Sequence, residues 1–593
     1  MKMREQLIAL RGAMAAHGVD YYMVPTDDFH GSEYVGRHFK CRSWVSGFTG
    51  SAGTLLVGKD WAGQWTDGRY FIQAADQLAG SGIDLMKSGE PGVPTLADYL
   101  EKHLQKGMTF GFDGRVVGAR TAARLRSIAE KCGASVVCTD DLVGEVWTDR
   151  PALSAEPVRE LPAELVGKSR AEKLMDVRAA LAKDGADAVV IASLMDVCWL
   201  MNLRGNDVAC TPVVLSFAAV TAEEAVLFIN PAVLSEEIAK NLRDDGVTIR
   251  PYGEVYDYVA AMPGDKTLML NLNVVNSKLE ACVPAGVKVL DKPDPTTLPK
   301  AKKNEKEVDN FRIAHIKDGA AVTKFMHWLK KNVGKVEMDE LSVAEKLEAF
   351  RCEQENYVGP SFGMIMGYGP HGAIVHYSAT KESCAKLEPR SFLLSDTGGH
   401  YLEGSTDITR TFALGELTED EKRFYTLVLK GNLQLGNAQW KAGCTGVNLD
   451  YLAREPLWRL EMDYNHGTGH GVGYMLSVHE GPQSIHWGRA NTTPLEVGMI
   501  TSNEPGFYLE GAFGVRLENL TVVKEVESNS YGRFLRFETL TMVPFDLDAV
   551  IPELLGEECR ALLNAYHAKV RKTLKPYLTE EENAWLADAT RAI

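Results

Sequence analysis

The sequence has few cysteines, and their spacing excludes several kinds of site. Ten cysteines are spread thinly from Cys41 to Cys559, the closest pair is Cys132 and Cys138, and no CxxC motif occurs. This spacing argues against a disulfide scaffold and against a zinc site built from thiolates. A reducing compartment is the simplest interpretation, and we expect a cytoplasmic protein.

Long apolar runs are missing as well. The longest stretch without a charged residue, Asn356–Thr380, contains five glycines, two prolines and two histidines, so it does not predict a membrane helix. Near the N-terminus, Arg4, Glu5 and Arg11 interrupt the apolar residues, and we expect no signal peptide. The sequence predicts neither membrane insertion nor secretion.

Positive charge is in the minority. The chain has 64 Lys and Arg against 80 Asp and Glu, which gives a formal net charge of −16. Nucleic acids and anionic membranes attract basic surfaces, so this balance argues against both as partners. It is compatible with sites rich in carboxylates.

The length of 593 residues predicts about three or four domains. Two stretches rich in proline, Asp149–Pro162 and Asp291–Lys303, are typical of linkers because proline disfavours continued helix or strand. We therefore predict domain I at residues 1–155, domain II at 156–300 and domain III at 301–593, with a helical extension from about residue 545.

The first two predicted domains share a pattern of α/β type. In each, a helix that stops at glycine precedes a β-rich run, VDYYMVP in the first and ADAVVIAS in the second. This similarity favours an internal duplication, although unrelated α/β segments also look alike at this level. The third domain begins with a long helix near Asn304 and continues with β-rich runs broken by glycine, which predicts an α+β domain with antiparallel strands.

Two aspartates mark the first candidate site in the third domain. Asp396 follows the apolar run SFLL, and Asp407 lies eleven residues later in TDITRTF. A turn around Gly398 and Gly404 would let two strands bring both carboxylates together. The alternative is that each aspartate only caps a turn at a strand end.

A histidine pair follows in HGTGHGVG. His466 and His470 have the i, i+4 spacing of a zinc-binding HExxH helix, but the intervening glycines would break a helix. A phosphate loop is also disfavoured, since no Lys-Ser/Thr pair follows. What remains is a glycine-flanked turn that presents histidine with close backbone approach.

Two glutamates complete the set. Glu504 precedes Pro505, which favours an extended backbone, and Glu518 lies in the strand pattern GVRLENLTVV. Each alone is compatible with a charged residue that protects an edge strand. Together, four carboxylates and one imidazole suit Mn, Co, Zn or Fe(II). Charge balance indicates two divalent ions, because the four carboxylates together carry four negative charges and two divalent ions carry four positive charges. Without metal, the converging carboxylates would repel one another.

The motifs Asp396-x10-Asp407, HGTGHGVG, NEPGFY and GVRLEN, in this order, resemble those of the pita-bread metallopeptidases, which include methionine aminopeptidase, prolidase and aminopeptidase P. The run His466–Pro482 is most similar to the Xaa-Pro branch. The stretch SEYVGRHFKCRSWVSGFTGSAGTLLV and the long N-terminal part resemble the three-domain cytosolic type of aminopeptidase P. The resemblance implies two creatinase-like α/β domains, a pita-bread catalytic domain and a homodimer.

The resemblance also implies a ligand set. Asp396 would be a terminal ligand to one metal, Asp407 and Glu518 would bridge both ions, and His470 and Glu504 would complete the second site. A bridging water or hydroxide would attack the scissile carbonyl, with Glu504 as the proton shuttle. Among the possible metals, the resemblance favours Mn(II).

Five further residues match the family pattern. His376 and His479 would line the site and stabilise an oxyanion or hold the substrate backbone, and His466 would shape a proline pocket. Arg516 and Tyr508 would lie behind the bridging ligands. A histidine beside a glycine turn is often only structural, and that interpretation stays open for each of the three.

The implied function is release of an N-terminal residue from peptides with proline second. A prolidase, acting only on Xaa-Pro dipeptides, is the nearest alternative and would share the five ligands. Methionine aminopeptidase is disfavoured because it normally lacks two leading domains of this size. A non-enzymatic peptide-binding relative and a metal-free creatinase-type amidinohydrolase are disfavoured because all five ligand positions are filled.

Overall fold

The computed structural model describes residues 2–138, 141–488 and 492–593, with the side chains of residues 2–4 left out. The chain divides into two compact units, of which unit 1 comprises the residues up to Ala163 and Lys168–Thr296. Unit 2 comprises Glu164–Gly167 and Thr297–Ile593. Within the described ranges, no helix is both long and apolar enough to cross a bilayer.

The first half of unit 1 is built around a six-stranded sheet in the order β4-β3-β2-β1-β5-β6. Its strands are β1 (Tyr21–Pro25), β2 (Thr54–Gly58), β3 (Ala62–Thr66), β4 (Asp84–Lys87), β5 (Thr109–Phe112) and β6 (Ser135–Val137). Its helices are α1 (Lys2–Ala16), α2 (Cys41–Ser46), α3 (Phe71–Leu78), α4 (Leu96–His103), α5 (Ala119–Lys131) and α6 (Leu142–Val146).

The second half repeats this arrangement around a sheet in the order β12-β11-β10-β8-β13-β14. Its strands are β7 (Arg159–Glu160), β8 (Ala188–Ile191), β9 (Leu203–Arg204), β10 (Ser216–Thr221), β11 (Ala225–Ile229), β12 (Val247–Arg250), β13 (Thr267–Leu270) and β14 (Lys288–Asp291). Its helices are α8 (Arg170–Asp184), α9 (Leu194–Met201), α10 (Glu236–Asp244), α11 (Val255–Ala260) and α12 (Ser277–Ala281), and the short α7 (Ala163–Val166) lies where the two units meet in sequence.

The two sheets agree in direction as well as in order. The central strand pairs antiparallel with one neighbour (β1 with β2, β8 with β10) and parallel with the other (β1 with β5, β8 with β13). This correspondence agrees with the predicted duplication. The predicted helix before the second sheet is α8, which starts at a Ser169 capping box and ends at Gly185 in the left-handed conformation.

Unit 2 contains the third predicted domain. Its helices are α13 (Thr297–Ala301), α14 (Glu305–Asn332), α15 (Glu340–Cys352), α16 (Glu419–Gly436), α17 (Gly446–Trp458), α18 (Pro552–Leu555), α19 (Glu557–Leu574) and α20 (Glu580–Ala589). Its strands are β15 (Tyr357–Pro360), β16 (Ile365–Tyr368), β17 (Phe392–Thr397), β18 (Gly399–Tyr401), β19 (Gly404–Ser405), β20 (Ile408–Ala413), β21 (Gln439–Lys441), β22 (Gly469–Gly471), β23 (Glu480–Ile485), β24 (Ile500–Asn503), β25 (Gly506–Leu509), β26 (Phe513–Arg516), β27 (Asn519–Asn529) and β28 (Gly532–Thr539).

Antiparallel ladders dominate unit 2, as the glycine-broken β pattern predicts. Strands β16, β17 and β20 form one sheet, and β21-β28-β27-β24-β22-β23 form another. Helices α14 and α15 bury Phe325 and Leu347 against Leu393 and Phe412 of the smaller sheet. The last part of unit 2 contains α18, α19 and α20.

The second predicted linker is not an open connection. Helix α13 lies in its second half, where Lys300, within the helix, and Lys303, just after it, are only 4% and 5% exposed. Both lysines pair with buried Glu480, so the end of this stretch is part of the packing of unit 2. Composition alone indicated a linker because it does not reveal a partner 180 residues away. The predicted domain limits at residues 155 and 300 stay predictions.

Candidate metal centre

Asp396 and Asp407 are brought together by two paired strands. Strand β17 pairs antiparallel with β20, with Asp396 opposite Thr409 and Thr397 opposite Ile408. Asp407 immediately precedes β20, so the two carboxylates lie at the same end of the ladder. The chain between them forms β18 and β19, a short hairpin with Gly404 at a φ of 139°. Strand pairing of the predicted kind therefore places the two aspartates together.

His470 lies on a strand rather than in the predicted turn. It is the central residue of β22, which pairs with both β23 and β24. A Cβ atom at Gly469 would lie 2.1 Å from the carbonyl oxygen of Ser502, and one at Gly471 would lie 2.2 Å from that of Glu480. The glycines are needed because neighbouring backbone presses on the strand, which matches the close approach that the motif predicted.

The two glutamates lie where neighbouring strands end or begin. Glu504 follows β24, and its N–H donates to the carbonyl oxygen of Thr468 at 2.9 Å. Glu518 lies between β26 and β27, and its N–H donates to the carbonyl oxygen of Thr409 at 3.0 Å. The Thr409 hydroxyl donates to Glu518 Oε2 at 2.8 Å. These bonds attach both glutamates to the strands that carry the aspartates and the histidine.

The five predicted ligands converge in one place. Ligand atoms lie within 4.8 Å of one another in the set Asp396, Asp407 and Glu518 and in the set His470, Glu504 and Glu518. His470 Nε2 lies 3.6 Å from Asp407 Oδ2 and 3.4 Å from Glu504 Oε1, which links the two sets.

The carboxylates are too close and too buried to carry their charges alone. Burial, reinforced by neighbouring carboxylates, raises the pKa of Asp407 and Glu518 far above the usual range. Burial raises the pKa of Glu504 to about 8, and the charge of Asp396 adds to that increase. Divalent cations would relieve both the repulsion and the desolvation.

Two buried carboxylate oxygens without hydrogen-bond partners among the described residues also indicate cations at this site. Asp396 Oδ1 and Glu518 Oε1 are buried and have no hydrogen-bond partner among the described residues. Buried polar atoms are normally satisfied, so such atoms indicate an unseen partner. The oxygen-rich donor set with one imidazole fits hard or borderline divalent ions.

A chain of polar contacts runs behind the ligands. The Arg516 guanidinium donates to Asp396 Oδ2 at 2.6 Å through Nη2 and to the Tyr508 hydroxyl at 2.7 Å through Nη1. The Tyr508 hydroxyl is 2.8 Å from His466 Nε2. Burial, together with the positive charge of Arg516, lowers the pKa of His466 to about 3, so this ring is neutral. Arg516, Tyr508 and His466 thus form one connected group on the Asp396 side.

The other two predicted histidines lie beside this group. The ring of His479 is 4.4 Å from that of His470, and one nitrogen of His479 is within 4.8 Å of ligand atoms of Asp407 and His470. His376 is partly buried and close enough to His466 to contribute to lowering the pKa of that ring. All ten sequence-predicted residues therefore belong to one region of unit 2.

Comparison with known proteins agrees with this geometry. The profile of metallopeptidase family M24 matches residues 309–525, and that of the C-terminal region of peptidase M24 matches residues 533–593. Profiles of the creatinase/prolidase N-terminal domain match residues 6–146 and 149–307. Aminopeptidase P1 of Lotus japonicus is 38% identical over 660 residues, covering 100% of both chains. The chain belongs to the M24 metallopeptidase family.

Other M24 relatives share the full length. A probable Xaa-Pro aminopeptidase P of Coprinopsis cinerea is 39% identical and covers 99% of this chain and 98% of its own. The crystal structure of X-prolyl aminopeptidase from Caenorhabditis elegans, described as a cytosolic enzyme with a di-nuclear active site, superposes with a TM-score of 0.95 at 33% identity and 100% coverage of both chains. The predicted family, the fold class with creatinase-like N-terminal domains and a pita-bread domain, and the prediction of a metallopeptidase are confirmed.

The M24 domain also contains supporting residues that sequence reasoning missed. Arg410, 1% exposed, donates through Nη1 to the carbonyl oxygens of Thr409 and Glu518 and through Nη2 to Asn519 Oδ1. Arg454, also buried, donates at 2.7 Å to the carbonyl oxygens of Tyr464 and His466, where the histidine motif begins. The signal for Arg410 is a charged residue inside the β-rich run TDITRTF.

A buried ion cluster adjoins His479. The next residue, Glu480, is 4% exposed and accepts from Lys300 at 3.1 Å and from Lys303. Because two ammonium groups and one carboxylate are buried together, this cluster holds β23 against α13. Sequence reasoning placed both lysines in a linker and therefore missed it.

Proposed function

We propose that the chain is a metal-dependent Xaa-Pro aminopeptidase that hydrolyses the N-terminal Xaa–Pro bond of peptides with proline second. The observation that carries this proposal is the convergence of Asp396, Asp407, His470, Glu504 and Glu518 in a chain similar over its full length to aminopeptidase P proteins. Full-length similarity matters because it includes both N-terminal domains and the C-terminal region.

We assign the ligands as follows. Asp396 would hold one ion, His470 and Glu504 would hold the other, and Asp407 and Glu518 would be shared between the two. The shared roles are supported by burial, since Asp407 and Glu518 are 3% and 1% exposed and each shares a ligand set with His470. Two divalent ions held here would lower the pKa of a bound water to about 7 and polarise the scissile carbonyl.

Glu504 is the proposed proton shuttle. Its side chain is 18% exposed, against 5% for Asp407, so it borders the open side of the centre. The Ser502 hydroxyl donates to Glu504 Oε1 at 3.2 Å and orients the carboxylate. A carboxylate oriented at the edge of the site can take a proton from the nucleophile and deliver it to the leaving nitrogen.

The three histidines are proposed to contact the substrate. His479, packed against the ring of His470, is placed to donate a hydrogen bond to charge developing on the carbonyl oxygen. His376 would hold the peptide backbone or the same oxygen. His466, neutral and held by Tyr508, would form a wall of the proline pocket, with Arg516 fixing Tyr508.

Proline explains why such a pocket is needed. The bond to proline nitrogen has no N–H and carries a bulky ring. A site that requires a backbone N–H from the substrate rejects this bond. A pocket of aromatic and imidazole side chains accepts the ring by packing, while the polarised carbonyl provides the reactivity.

Further properties belong to the same proposal. The donor set suits Mn, Co, Zn or Fe(II), and Mn(II) is the proposed metal because the resemblance to aminopeptidase P favours it. A cytosolic location is supported by the ten free cysteines and by the description of the Caenorhabditis elegans enzyme as cytosolic. We also propose a homodimer.

Hydrolysis of an Xaa-Pro-Pro tripeptide and an Xaa-Pro dipeptide by chelator-stripped protein, with and without Mn(II), tests the function. Metal-dependent release of the first residue from the tripeptide is the expected result. Cleavage of the dipeptide alone would make the protein a prolidase. No cleavage of either, with two ions bound, would refute the proline specificity and leave the family assignment standing.

A further inference from the structure

Helix α15 begins with a glutamate whose side chain is completely buried. Glu340 Oε1 accepts a hydrogen bond from the N–H of Tyr368 and lies 2.8 Å from His371 Nδ1. Glu340 Oε2 accepts from the Tyr377 hydroxyl and from the N–H of Ala385, both at 2.8 Å. The side chain of Glu340 is 0% exposed. Both carboxylate oxygens thus have hydrogen-bond partners, and the carboxylate has no contact with solvent.

All four partners belong to a single stretch of chain. Residues 368–385, here called the His376 segment, run from the end of β16 toward β17 and include His376. A buried carboxylate surrounded by four donors is costly to move, because any displaced donor leaves it unsatisfied. Glu340 therefore fixes the His376 segment at both ends and in the middle.

The same segment is attached to the metal centre on its other side. Arg516, which donates to Asp396, also donates through Nη2 to the carbonyl oxygen of Val375 at 3.3 Å. His376 consequently stands between one neighbour held by the arginine and another, Tyr377, held by Glu340. The rings of His371 and Tyr377 stack at 4.5 Å with an interplanar angle of 26°, which joins the two groups that contact the carboxylate.

Close backbone packing between the His376 segment and β26 would transmit a small shift of one to the other. A Cβ at Gly514 would lie 1.8 Å from the carbonyl oxygen of Gly372, so the His376 segment presses directly on β26. Strand β26 ends at Arg516. A displacement of the segment therefore changes the position of His376 relative to groups that border the metal ligands.

We propose that Glu340 is a positioning residue of the reaction, which acts by holding the His376 segment so that His376 reaches the bound peptide. The inference rests on the proposed substrate contact of His376. Glu340 itself does not touch the substrate. Its contribution is to keep one imidazole in place, and misplacement of such a group by about 1 Å can cost about 10²-fold in rate.

Helix α15 supplies a matched control. Further along the same helix, Glu348 accepts from the Tyr357 hydroxyl at 2.8 Å through both oxygens. Tyr357→Phe and Tyr377→Phe therefore each remove one tyrosine hydroxyl bonded to a glutamate of α15. Only Tyr377 belongs to the His376 segment. A general loss of helix stability would affect both variants alike, whereas loss of positioning affects only Tyr377→Phe.

The experiment measures kcat and KM for an Xaa-Pro-Pro tripeptide, with bound Mn(II) counted in each variant. Glu340→Gln should lower kcat/KM about 10²-fold and Tyr377→Phe about tenfold, with metal content unchanged. Tyr357→Phe and Glu348→Gln should stay within about twofold of the wild type. If Glu340→Gln does not fold, Tyr377→Phe carries the same prediction with a single hydroxyl lost.

A double-variant cycle decides whether Glu340 acts through His376. Since a positioning residue has nothing left to position once the imidazole is gone, His376→Ala and His376→Ala/Tyr377→Phe should have the same kcat/KM within about threefold. Multiplying losses would overturn the proposal, as would equal losses in Tyr357→Phe and Tyr377→Phe. If His376→Ala has no effect on kcat/KM, the proposed contact of His376 with the substrate is refuted. If His376→Ala lowers kcat/KM but Glu340→Gln and Tyr377→Phe do not, only the positioning role of Glu340 is refuted.

Discussion

Loss of a proposed metal ligand and loss of a histidine beside the ligands should have different effects. Asp407 lies in two ligand sets and His470 in two, so Asp407→Ala or His470→Ala should reduce bound metal and abolish turnover. His479→Ala should retain metal and lower kcat by about 10²–10³-fold if this ring stabilises an oxyanion. Metal analysis and tripeptide kinetics on the same samples measure both effects.

His17→Ala, which changes a partly exposed histidine of unit 1, serves as the control for these variants and should leave both quantities unchanged. Loss of metal from His479→Ala would contradict the separation between ligands and the oxyanion-stabilising residue. Full metal binding by His470→Ala would contradict the ligand assignment itself.

Protons and metal ions should compete for the same carboxylates. The folded-state pKa of Glu504 is raised from 4.5 to about 8, so the folded metal-free protein keeps a proton that the unfolded chain releases. Stability from this group is fully present below about pH 4.5 and is lost as the pH rises through about 8. We expect the Tm of chelator-treated protein to fall between pH 5 and 8.5, and added Mn(II) to raise it most at the upper end.

Glu504→Gln gives the comparison for this pH dependence. An amide does not titrate, so the metal-free variant should lose less stability than the wild type over the same pH interval. Equal slopes for the two metal-free proteins would exclude Glu504 as a contributor.

At the scale of elements, the C-terminal helix α19 is connected to the candidate metal centre through Arg410. Its Tyr566 hydroxyl accepts from Arg410 Nη2 at 3.1 Å, and Arg410 also donates to the carbonyl oxygen of Glu518. Groups that orient ligands typically contribute about 10–100-fold to metal affinity. Tyr566→Phe should therefore weaken Mn(II) binding by about tenfold.

Competition with a chelator measures this affinity directly. Tyr577→Phe, at a tyrosine of the same C-terminal region that is 49% exposed, should bind Mn(II) as the wild type does. A Tyr566→Phe variant with lowered Tm and unchanged metal affinity would show that α19 contributes only to stability.

The buried ion cluster of Lys300, Lys303 and Glu480 offers a second test at this scale. Lys303 and Glu480 are 1% and 2% exposed at their side chains, so Lys303→Met leaves the carboxylate with Lys300 as its remaining buried partner. Breaking a buried pair costs about 3 kcal/mol, and we expect a loss of that order in urea unfolding. The exposed neighbour Lys302, paired with Glu496 at the surface, is the control, and Lys302→Met should cost less than about 1 kcal/mol. Equal costs would mean that the buried cluster contributes no more than a surface pair.

At the scale of the whole molecule, exposed aromatic rings suggest a test of the proposed homodimer. Tyr451 and Trp487 are 54% and 53% exposed, and Trp458 lies between them with ring centroids at 6.0 and 5.9 Å. Exposed apolar groups of this size, in contact with one another, are typical of protein interfaces. If this patch joins two copies, Trp487→Glu should convert a dimer into a monomer in sedimentation velocity. A wild-type monomer at working concentration would refute the dimer.

Some parts of this molecule follow from local chemistry and are visible in the sequence. A metal centre needs particular residue types, so the motifs that contain Asp396, Asp407, His470, Glu504 and Glu518 mark these residues as candidate ligands through their resemblance to the pita-bread metallopeptidases. Helix α14 follows from its apolar spacing and from a capping box at Asn304. The antiparallel strands of unit 2 follow from alternation broken by glycine.

Other features depend on partners far away in the chain. The apolar face of α14 is interrupted at Gly319 because a Cβ there would lie 2.4 Å from the carbonyl oxygen of Met542. The pairing of Lys303 with Glu480 spans 177 residues, and that of Arg410 with Tyr566 spans 156. No local sequence pattern predicts such contacts.

By itself, the sequence determined the family, the succession of α/β and α+β parts and the identity of the candidate ligands, because these depend on residue types and their spacing along the chain. The tertiary structure alone decided which buried charges face one another. The hydrogen bonds of Glu340 to the His376 segment, the bond of Arg410 to Glu518 and the pairing of Lys300 and Lys303 with Glu480 are all contacts between distant segments. Burial makes each of them energetically important, and burial is a property of the folded chain.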